Sequence, residues 1–314
     1  MTRLLVLGAT ATIGRAVVAE ALAMGHEVAC LLRPHHAGGG HGLPEAARLH
    51  FGTVAEALAA SGAEAVICCM ASRTGAPADA WAVDHAATVA AVESTRAAGA
   101  AHFVLLSAIC VQRPLLAFQH AKLAAEAALI GSGLRHSIVR PTAYFKSLSG
   151  QVARLRAGKP FLLFGDGRLT ACKPISDGDL ARYLLGCLDA PERWNRVLPI
   201  GGPGPAITPL EQGGMLFQAL GKAPHYARVS VRLMDALIGG LSLGGRLSPR
   251  LAAKAELARI GRYYATESML VLNPATGRYD ARATPETGSE TLGEFYARLA
   301  RGEESVALGD HAVF

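Results

Sequence analysis

Charged and aromatic side chains are both scarce in this 314-residue sequence. Asp, Glu, Lys and Arg make up 18% of the chain and aromatic residues 6%, whereas hydrophobic residues make up 51%. So apolar a composition excludes general intrinsic disorder. The length allows one large α/β domain or such a domain with a smaller appendage.

The sequence also lacks the Cys-x-x-Cys spacing of redox and zinc sites, although it has six cysteines. Cys68 and Cys69 close an apolar run, where free thiols behave as small hydrophobic groups. In the glycine-rich loop 34–44, His35, His36 and His41 have no carboxylate or thiolate at ligand spacing, so we expect no metal site. These free thiols, and a first strand that begins without a signal or transit peptide before it, predict a cytoplasmic protein.

Dense runs of Lys and Arg with interleaved aromatics are missing too, which argues against a nucleic-acid partner. The net charge of +6 instead suits a small anionic partner or a membrane surface. The most apolar late stretch, residues 229–247, carries Arg232, Asp235, Arg246 and several glycines, so it does not predict a membrane span. We expect a helix that lies on a surface or covers a ligand, and a peripheral membrane contact stays open.

The pattern that is present is an alternation of apolar runs with helical segments. This alternation is typical of βαβ units in a parallel sheet. It predicts an α/β Rossmann fold, with a doubly wound parallel sheet, helices on both faces and a smaller C-terminal substrate-binding lobe. We place the core of this domain at 1–146, and its last elements, interleaved with the lobe, at 147–314. The predicted strands are 3–7, 26–32, 48–51, 65–69, 103–107 and 137–141, and the predicted helices are 14–24, 54–61, 80–98 and 118–132.

A glycine turn connects the first strand to the first helix. It reads Gly8-Ala9-Thr10-Ala11-Thr12-Ile13-Gly14. In such turns glycines let the backbone approach a pyrophosphate, which then lies at the positive end of the helix. Ala11 stands where glycine is usual, and its Cβ is tolerable only if the backbone there is not left-handed. The predicted dinucleotide-binding residues of this turn are Gly8, Thr10, Ala11, Thr12, Ile13 and Gly14.

The end of the second strand indicates which dinucleotide binds. NAD enzymes place an acid there for the ribose hydroxyls, but this chain reads Leu31-Leu32-Arg33. A guanidinium attracts a 2′-phosphate, so Arg33 predicts NADPH, with Arg15 on the other side of the phosphate. Thr53 follows the third strand and is a candidate adenine contact.

The helix after the fifth strand lacks a tyrosine that carbonyl-reducing short-chain dehydrogenases use as a proton donor. Their motif is Tyr-x-x-x-Lys, whereas this chain reads Phe118-Gln119-His120-Ala121-Lys122. Ser107 precedes it by about 15 residues and completes the expected cofactor-facing set with Lys122. The protein is therefore either a sensor without catalysis or a reductase whose substrate has no carbonyl oxygen to protonate.

From Phe118 onward the chain resembles the divinyl chlorophyllide 8-vinyl-reductase family of chlorophyll and bacteriochlorophyll biosynthesis. The matching segments are Phe-Gln-His-Ala-Lys-Leu at 118–123, Val-Arg-Pro-Thr-Ala-Tyr-Phe-Lys-Ser-Leu-Ser-Gly-Gln-Val at 139–152, and Gly-Lys-Pro-Phe at 158–161. They continue with Phe-Gly-Asp-Gly-Arg-Leu-Thr-Ala-Cys-Lys-Pro-Ile-Ser at 164–176 and Tyr-Tyr-Ala-Thr-Glu-Ser-Met-Leu-Val-Leu at 263–272. With the N-terminal fold, the resemblance covers nearly the whole chain. It implies NADPH-driven conversion of a C8 vinyl group to ethyl on divinyl chlorophyllide or protochlorophyllide, a magnesium porphyrin-type pigment of photosynthesis.

That chemistry needs no oxyanion, because the macrocycle delocalises the charge left by hydride addition, and it agrees with Phe118. We expect Pro141 and Thr142 to lie against the nicotinamide, and Tyr144 and Lys146 to line the pigment side. Lys146 is also a candidate partner of a pigment carboxylate. Alternatives are a catalytically silent NADP(H)-binding sensor or assembly protein of this fold, and an ene or ether reductase similar to the isoflavone reductases. The candidate catalytic residues are Lys122, Tyr144 and Lys146.

Overall fold

A computed structural model of the chain describes residues 1–34, 39, 41–246 and 248–304. Its centre is a seven-stranded sheet in which every neighbouring pair is parallel, in the order β3-β2-β1-β4-β5-β6-β8. The strand order reverses between β1 and β4, the crevice where doubly wound folds bind ligands. The strands are β1 Arg3–Leu7, β2 Glu27–Leu32, β3 Arg48–Phe51, β4 Ala65–Cys68, β5 His102–Leu106, β6 Arg135–Pro141 and β8 Arg196–Ile200.

Helices cover both faces of this sheet, and alternate residues of each strand supply the two cores. From β1, Leu4 and Val6 pack toward α1 (Thr12–Ala23) and α7 (Asp177–Gly186). Leu5 and Leu7 pack on the other face, toward α2 (Val54–Ser61) and α5 (Ala117–Gly131). Burial on both faces explains why the strands read as unbroken apolar runs rather than as alternating ones. The predicted doubly wound fold is confirmed.

One predicted helix has a different internal structure. The segment predicted at 80–98 begins earlier, with α3 (Pro77–Ala80), and ends with α4 (Thr88–Ala97). Between them Trp81–Ala87 is a π-helical segment. Proline is favoured at a first helical turn, which accounts for the earlier start. A π-helical turn leaves no mark in hydrophobic periodicity, so the sequence does not predict it.

The C-terminal half contributes elements both to the main sheet and to a separate layer, and the chain alternates between the two. After β6 the chain builds α7 and β8, and β8 pairs with β6 at the edge of the sheet. The separate layer contains a parallel pair, β7 (Phe161–Phe164) with β9 (Tyr226–Val229). Around it lie α6 (Val152–Arg156), α8 (Pro209–Ala219) and α11 (Leu292–Arg301). Their shared core is centred on the buried side chains of Phe161 and Tyr296.

Two long helices and a small β-hairpin complete the C-terminal half. The helix α9 (Val231–Gly245) packs against α10 (Pro249–Thr266), with the Asp235 and Arg262 side chains forming an ion pair. The strands β10 (Val271–Asn273) and β11 (Arg278–Asp280) pair antiparallel. Within the described ranges, no helix is long and apolar enough to cross a membrane. His35 and His36 of the glycine-rich loop 34–44 lie outside the described residues.

Candidate active site

Most of the predicted site residues lie just after the carboxyl end of a strand of the main sheet. Gly8 follows β1, Arg33 follows β2, Thr53 follows β3 and Ser107 follows β5. The segment that contains Tyr144 follows β6. Because the strands are parallel, these carboxyl ends share one edge of the sheet, where doubly wound folds bind their ligands.

The glycine turn has the backbone geometry that a dinucleotide site requires. Gly8 has φ +75°, and a Cβ there would lie 2.7 Å from the backbone of Cys69. A Cβ on Gly14 would lie 2.1 Å from the Gly8 carbonyl oxygen. Ala11, by contrast, has φ −73° and ψ 163°, an extended conformation that accepts a Cβ. The turn therefore fits a pyrophosphate at the N-terminus of α1, and the departure at Ala11 introduces no backbone strain.

Thr10, Thr12 and Ile13 complete this turn, and Thr12 is the first residue of α1. The helix thus begins two residues earlier than predicted, because the extended Ala11 is its N-cap. Ile13 is buried beneath the turn, whereas Thr12 is only half-buried.

The two arginines predicted at the 2′-phosphate are both exposed. Arg33 directly follows β2, and Arg15 lies in the first turn of α1. Thr53, the candidate adenine contact, has a structural role: its hydroxyl accepts the Glu56 N–H at 3.2 Å and caps α2. The Glu56 carboxylate accepts the Thr53 N–H at 2.8 Å in return.

Lys122 has a buried partner that the sequence did not reveal. Its Nζ lies 2.8 Å from Oδ1 of Asp84, and the Lys122 and Asp84 side chains are 12% and 0% exposed. Asp84 belongs to the π-helical segment, which contacts α5. The Ser72 N–H donates to the same oxygen at 3.3 Å, but Asp84 Oδ2 is buried and no described residue bonds it. The sequence signal for this pair was Asp84 itself, an acidic residue within an apolar, Ala-rich helix.

Ser107 belongs to a second buried polar group. Its hydroxyl donates to Glu126, and Arg140 pairs with the same carboxylate, with Nε 3.1 Å from Oε1. Glu126 lies one turn after Lys122 in α5, so the same helix carries both polar groups. The Ser107 hydroxyl is therefore committed to Glu126, a partner that sequence reasoning also missed.

The loop after β6 begins with the predicted nicotinamide contacts. Pro141 is the last residue of β6 and is buried. Thr142 is also buried, and its N–H donates to the Ile200 carbonyl at 2.9 Å. The Thr142 hydroxyl donates to the Lys173 carbonyl, so the side chain links β6 to the C-terminal half.

Tyr144 and Lys146 point to different parts of this edge. Tyr144 pairs with Ile175 in an isolated β-bridge, and burial raises the pKa of its phenol above the usual value. A raised pKa makes the phenol a weaker acid. Lys146 Nζ donates to the Thr12 hydroxyl at 2.8 Å, on the glycine turn. Asp177 is close enough for the charge of Lys146 to affect its pKa.

An apolar wall lies beside the expected position of the nicotinamide. Phe118 packs against a buried cluster that includes Ile260 and Tyr263 of α10, and the Tyr263 hydroxyl donates to the Cys110 carbonyl at 2.8 Å. The next residue, Tyr264, is 40% exposed. Sequence reasoning did not assign α10 to the site, because its apolar side chains are also those of any packed helix.

The chain matches a known protein family and is similar in sequence to individual known proteins. Residues 8–191 match the NAD(P)H-binding family. The chain is 46% identical over 333 residues to the protein of Oryza sativa subsp. indica named divinyl chlorophyllide a 8-vinyl-reductase, chloroplastic. That alignment covers 100% of this chain and 82% of the rice protein. Identity to the photosystem II assembly factor Ycf39 of Trieres chinensis is 28% over 261 residues, covering 79% of this chain and 80% of that protein.

Among solved structures, MoeE5 in complex with UDP-glucose and NAD is similar with a TM-score of 0.66 and 20% identity. The superposition covers 95% of this chain and 97% of that chain. At this identity the likeness shows the fold, and it does not transfer a substrate.

Proposed function

The chain belongs to the divinyl chlorophyllide a 8-vinyl-reductase family, and from this premise we propose that it reduces the C8 vinyl group of divinyl chlorophyllide or protochlorophyllide to ethyl. The observation that carries the proposal is the close identity to the rice reductase along the whole of this chain. The assembly-factor alternative is weaker, because identity to Ycf39 is much lower and covers less of the chain.

The residues around Lys122 suit reduction of a carbon–carbon double bond. NADPH, when bound, supplies the hydride. Phe118 stands where carbonyl reductases have their acid, and in the cluster beside it the Tyr263 hydroxyl already donates to the Cys110 carbonyl. Lys122 is fixed by Asp84, so its ammonium can position the nicotinamide ribose without tuning a tyrosine.

We further propose NADPH rather than NADH as the reductant. Arg33 offers a guanidinium at the end of β2, where an acid would be needed for the ribose hydroxyls of NADH. Arg15 offers a second exposed guanidinium in the first turn of α1. Two positive groups on either side of the ribose suit a 2′-phosphate.

The exposed face of α9 suggests a contact surface for a membrane. The α9 face consists of Leu233, Leu237 and Leu243, which are 65%, 58% and 66% exposed, and no described residue of α9 is buried. Arg232 and Arg246 are exposed near the two ends of the helix, whereas the acidic Asp235 is paired with Arg262. An apolar helix face with basic flanks is typical of helices that lie in an anionic bilayer surface. We propose that the α9 face rests on such a surface.

Flotation with lipid vesicles tests this contact. The protein should float with phosphatidylglycerol vesicles much more than with phosphatidylcholine vesicles, and Leu233→Ser with Leu237→Ser should abolish flotation. Leu169→Ser, at another exposed leucine, is the matched control and should float normally. Unchanged flotation of the double variant would contradict a membrane role for the α9 face.

A pigment assay tests the proposed reaction. When purified protein is mixed with NADPH and divinyl chlorophyllide, the Soret band of the pigment should shift to the blue. The fall in NADPH absorbance should correspond to one NADPH consumed for each pigment reduced. Monovinyl chlorophyllide, which lacks the C8 vinyl group, is the control and should consume no NADPH. NADPH binding without reduction of any divinyl pigment would favour the silent alternative.

A further inference from the structure

Lys146 connects the loop after β6 to the cofactor turn. Its Nζ donates to the Thr12 hydroxyl at 2.8 Å, across a separation of 134 residues. Thr12 is the first residue of α1, directly after the extended Ala11. The contact therefore places an ammonium at the N-terminus of α1, on the turn whose glycines admit a pyrophosphate.

Two positive charges meet at the start of α1, the ammonium of Lys146 and the partial charge of the helix N-terminus. The N-terminus of a helix carries unsatisfied N–H groups and about half a positive charge. A cation placed beside that end is unfavourable by itself, because like charges repel. It becomes favourable when an anion lies between the ammonium and the helix.

Asp177 supplies a negative charge near Lys146 but does not neutralise the site fully. Burial raises the pKa of Asp177 to about 6, and the charge of Lys146 lowers it. Its Oδ1 is buried, and no described residue donates a hydrogen bond to it. The carboxylate is therefore poorly solvated, and it interacts with Lys146 through its charge.

We propose that Lys146 and Thr12 bind the diphosphate of the nicotinamide cofactor. In this role Lys146 is a cofactor ligand, and it neither pairs with a pigment carboxylate nor donates the proton of the reduction. The inference rests on the proposed nicotinamide cofactor and does not depend on the identity of the pigment. It also explains why a lysine of the loop after β6 extends back to the first helix.

Binding without pigment tests the assignment. The dissociation constant of NADPH is measured by its fluorescence on binding, and that of adenosine 2′-monophosphate by calorimetry. The second ligand keeps the adenine and 2′-phosphate but has no diphosphate. We expect Lys146→Ala to weaken NADPH binding about ten- to a hundredfold, as for a lost hydrogen bond to a charged group, and to leave adenosine 2′-monophosphate unaffected. Lys159→Ala, at an exposed lysine of the C-terminal half, is the matched control.

Two further variants guard against a folding defect. Lys146→Arg keeps the charge and should bind NADPH within a few-fold of the native protein, whereas Lys146→Gln, a neutral hydrogen-bond donor, should not. Unchanged NADPH affinity in Lys146→Ala would overturn the proposal, whatever the variant does to the reaction with pigment. Equal weakening of both ligands would also overturn it, because the effect would not be specific to the diphosphate. Since no pigment is present, a wrong assignment of the reaction would leave this result unchanged.

Discussion

Removing the Lys122 side chain should lower both the free energy of unfolding and the affinity for NADPH, and a second substitution distinguishes the two effects. Lys122→Met leaves the Asp84 carboxylate buried, with the Ser72 N–H at 3.3 Å as its remaining described donor. Removing one partner of a buried ion pair typically costs about 3–5 kcal/mol. A domain is stable by only about 5–15 kcal/mol, so the variant should unfold at clearly lower urea concentration. Adding Asp84→Asn removes the uncompensated charge and should recover most of that loss.

Cofactor binding should not recover with stability. If Lys122 contacts the nicotinamide ribose, the double variant lacks that contact, and its NADPH affinity should stay about tenfold or more below that of the native protein. Urea unfolding and NADPH fluorescence are measured on the native protein, both single variants and the double variant. Native stability in Lys122→Met would refute the buried pair as described. Native NADPH affinity in the double variant would show that Lys122 has a structural role only.

Three other predictions concern single residues. Arg33→Ala should raise the KM for NADPH about ten- to a hundredfold and change that for NADH little; equal effects on both would remove the 2′-phosphate assignment. Phe118→Tyr should keep most vinyl reduction in the pigment assay, whereas loss of activity at unchanged stability would indicate that the apolar wall needs the phenyl ring. Burial lowers the pKa of His102 to about 4, below its usual 6.5, so the folded state resists protonation of this histidine. Stability should therefore fall by about 3 kcal/mol as the pH drops from 6.5 to 4, and His102→Gln, followed by urea unfolding, should lack this component.

The framework of the fold was predictable because its signals are local. The apolar run of β1, the glycine turn and the helical spacing of α1 lie within the first 23 residues and agree with one another. The carboxyl-edge position of Arg33 and Ser107 follows from the parallel sheet alone.

The partners of the site residues were not predictable because they come from distant segments. Asp84 reaches Lys122 through a π-helical segment, and Glu126 is shared by Ser107 and Arg140. Lys146 was expected on the pigment side because its position after β6 was visible in the sequence, whereas its contact with Thr12 was not. Side-chain direction in an irregular loop depends on tertiary packing, which a local pattern does not encode.

The central claim is hydride transfer from the nicotinamide to the C8 vinyl group, and isotope transfer tests it most directly. NADPH with deuterium at both C4 positions of the nicotinamide is incubated with the protein and divinyl chlorophyllide, and the product is analysed by mass spectrometry and NMR. We predict one deuterium on the terminal carbon of the new ethyl group. In a parallel reaction with unlabelled NADPH in deuterated water, we predict one deuterium on the inner carbon of that group. An ethyl product without deuterium from labelled NADPH, or no ethyl product at all, would contradict it.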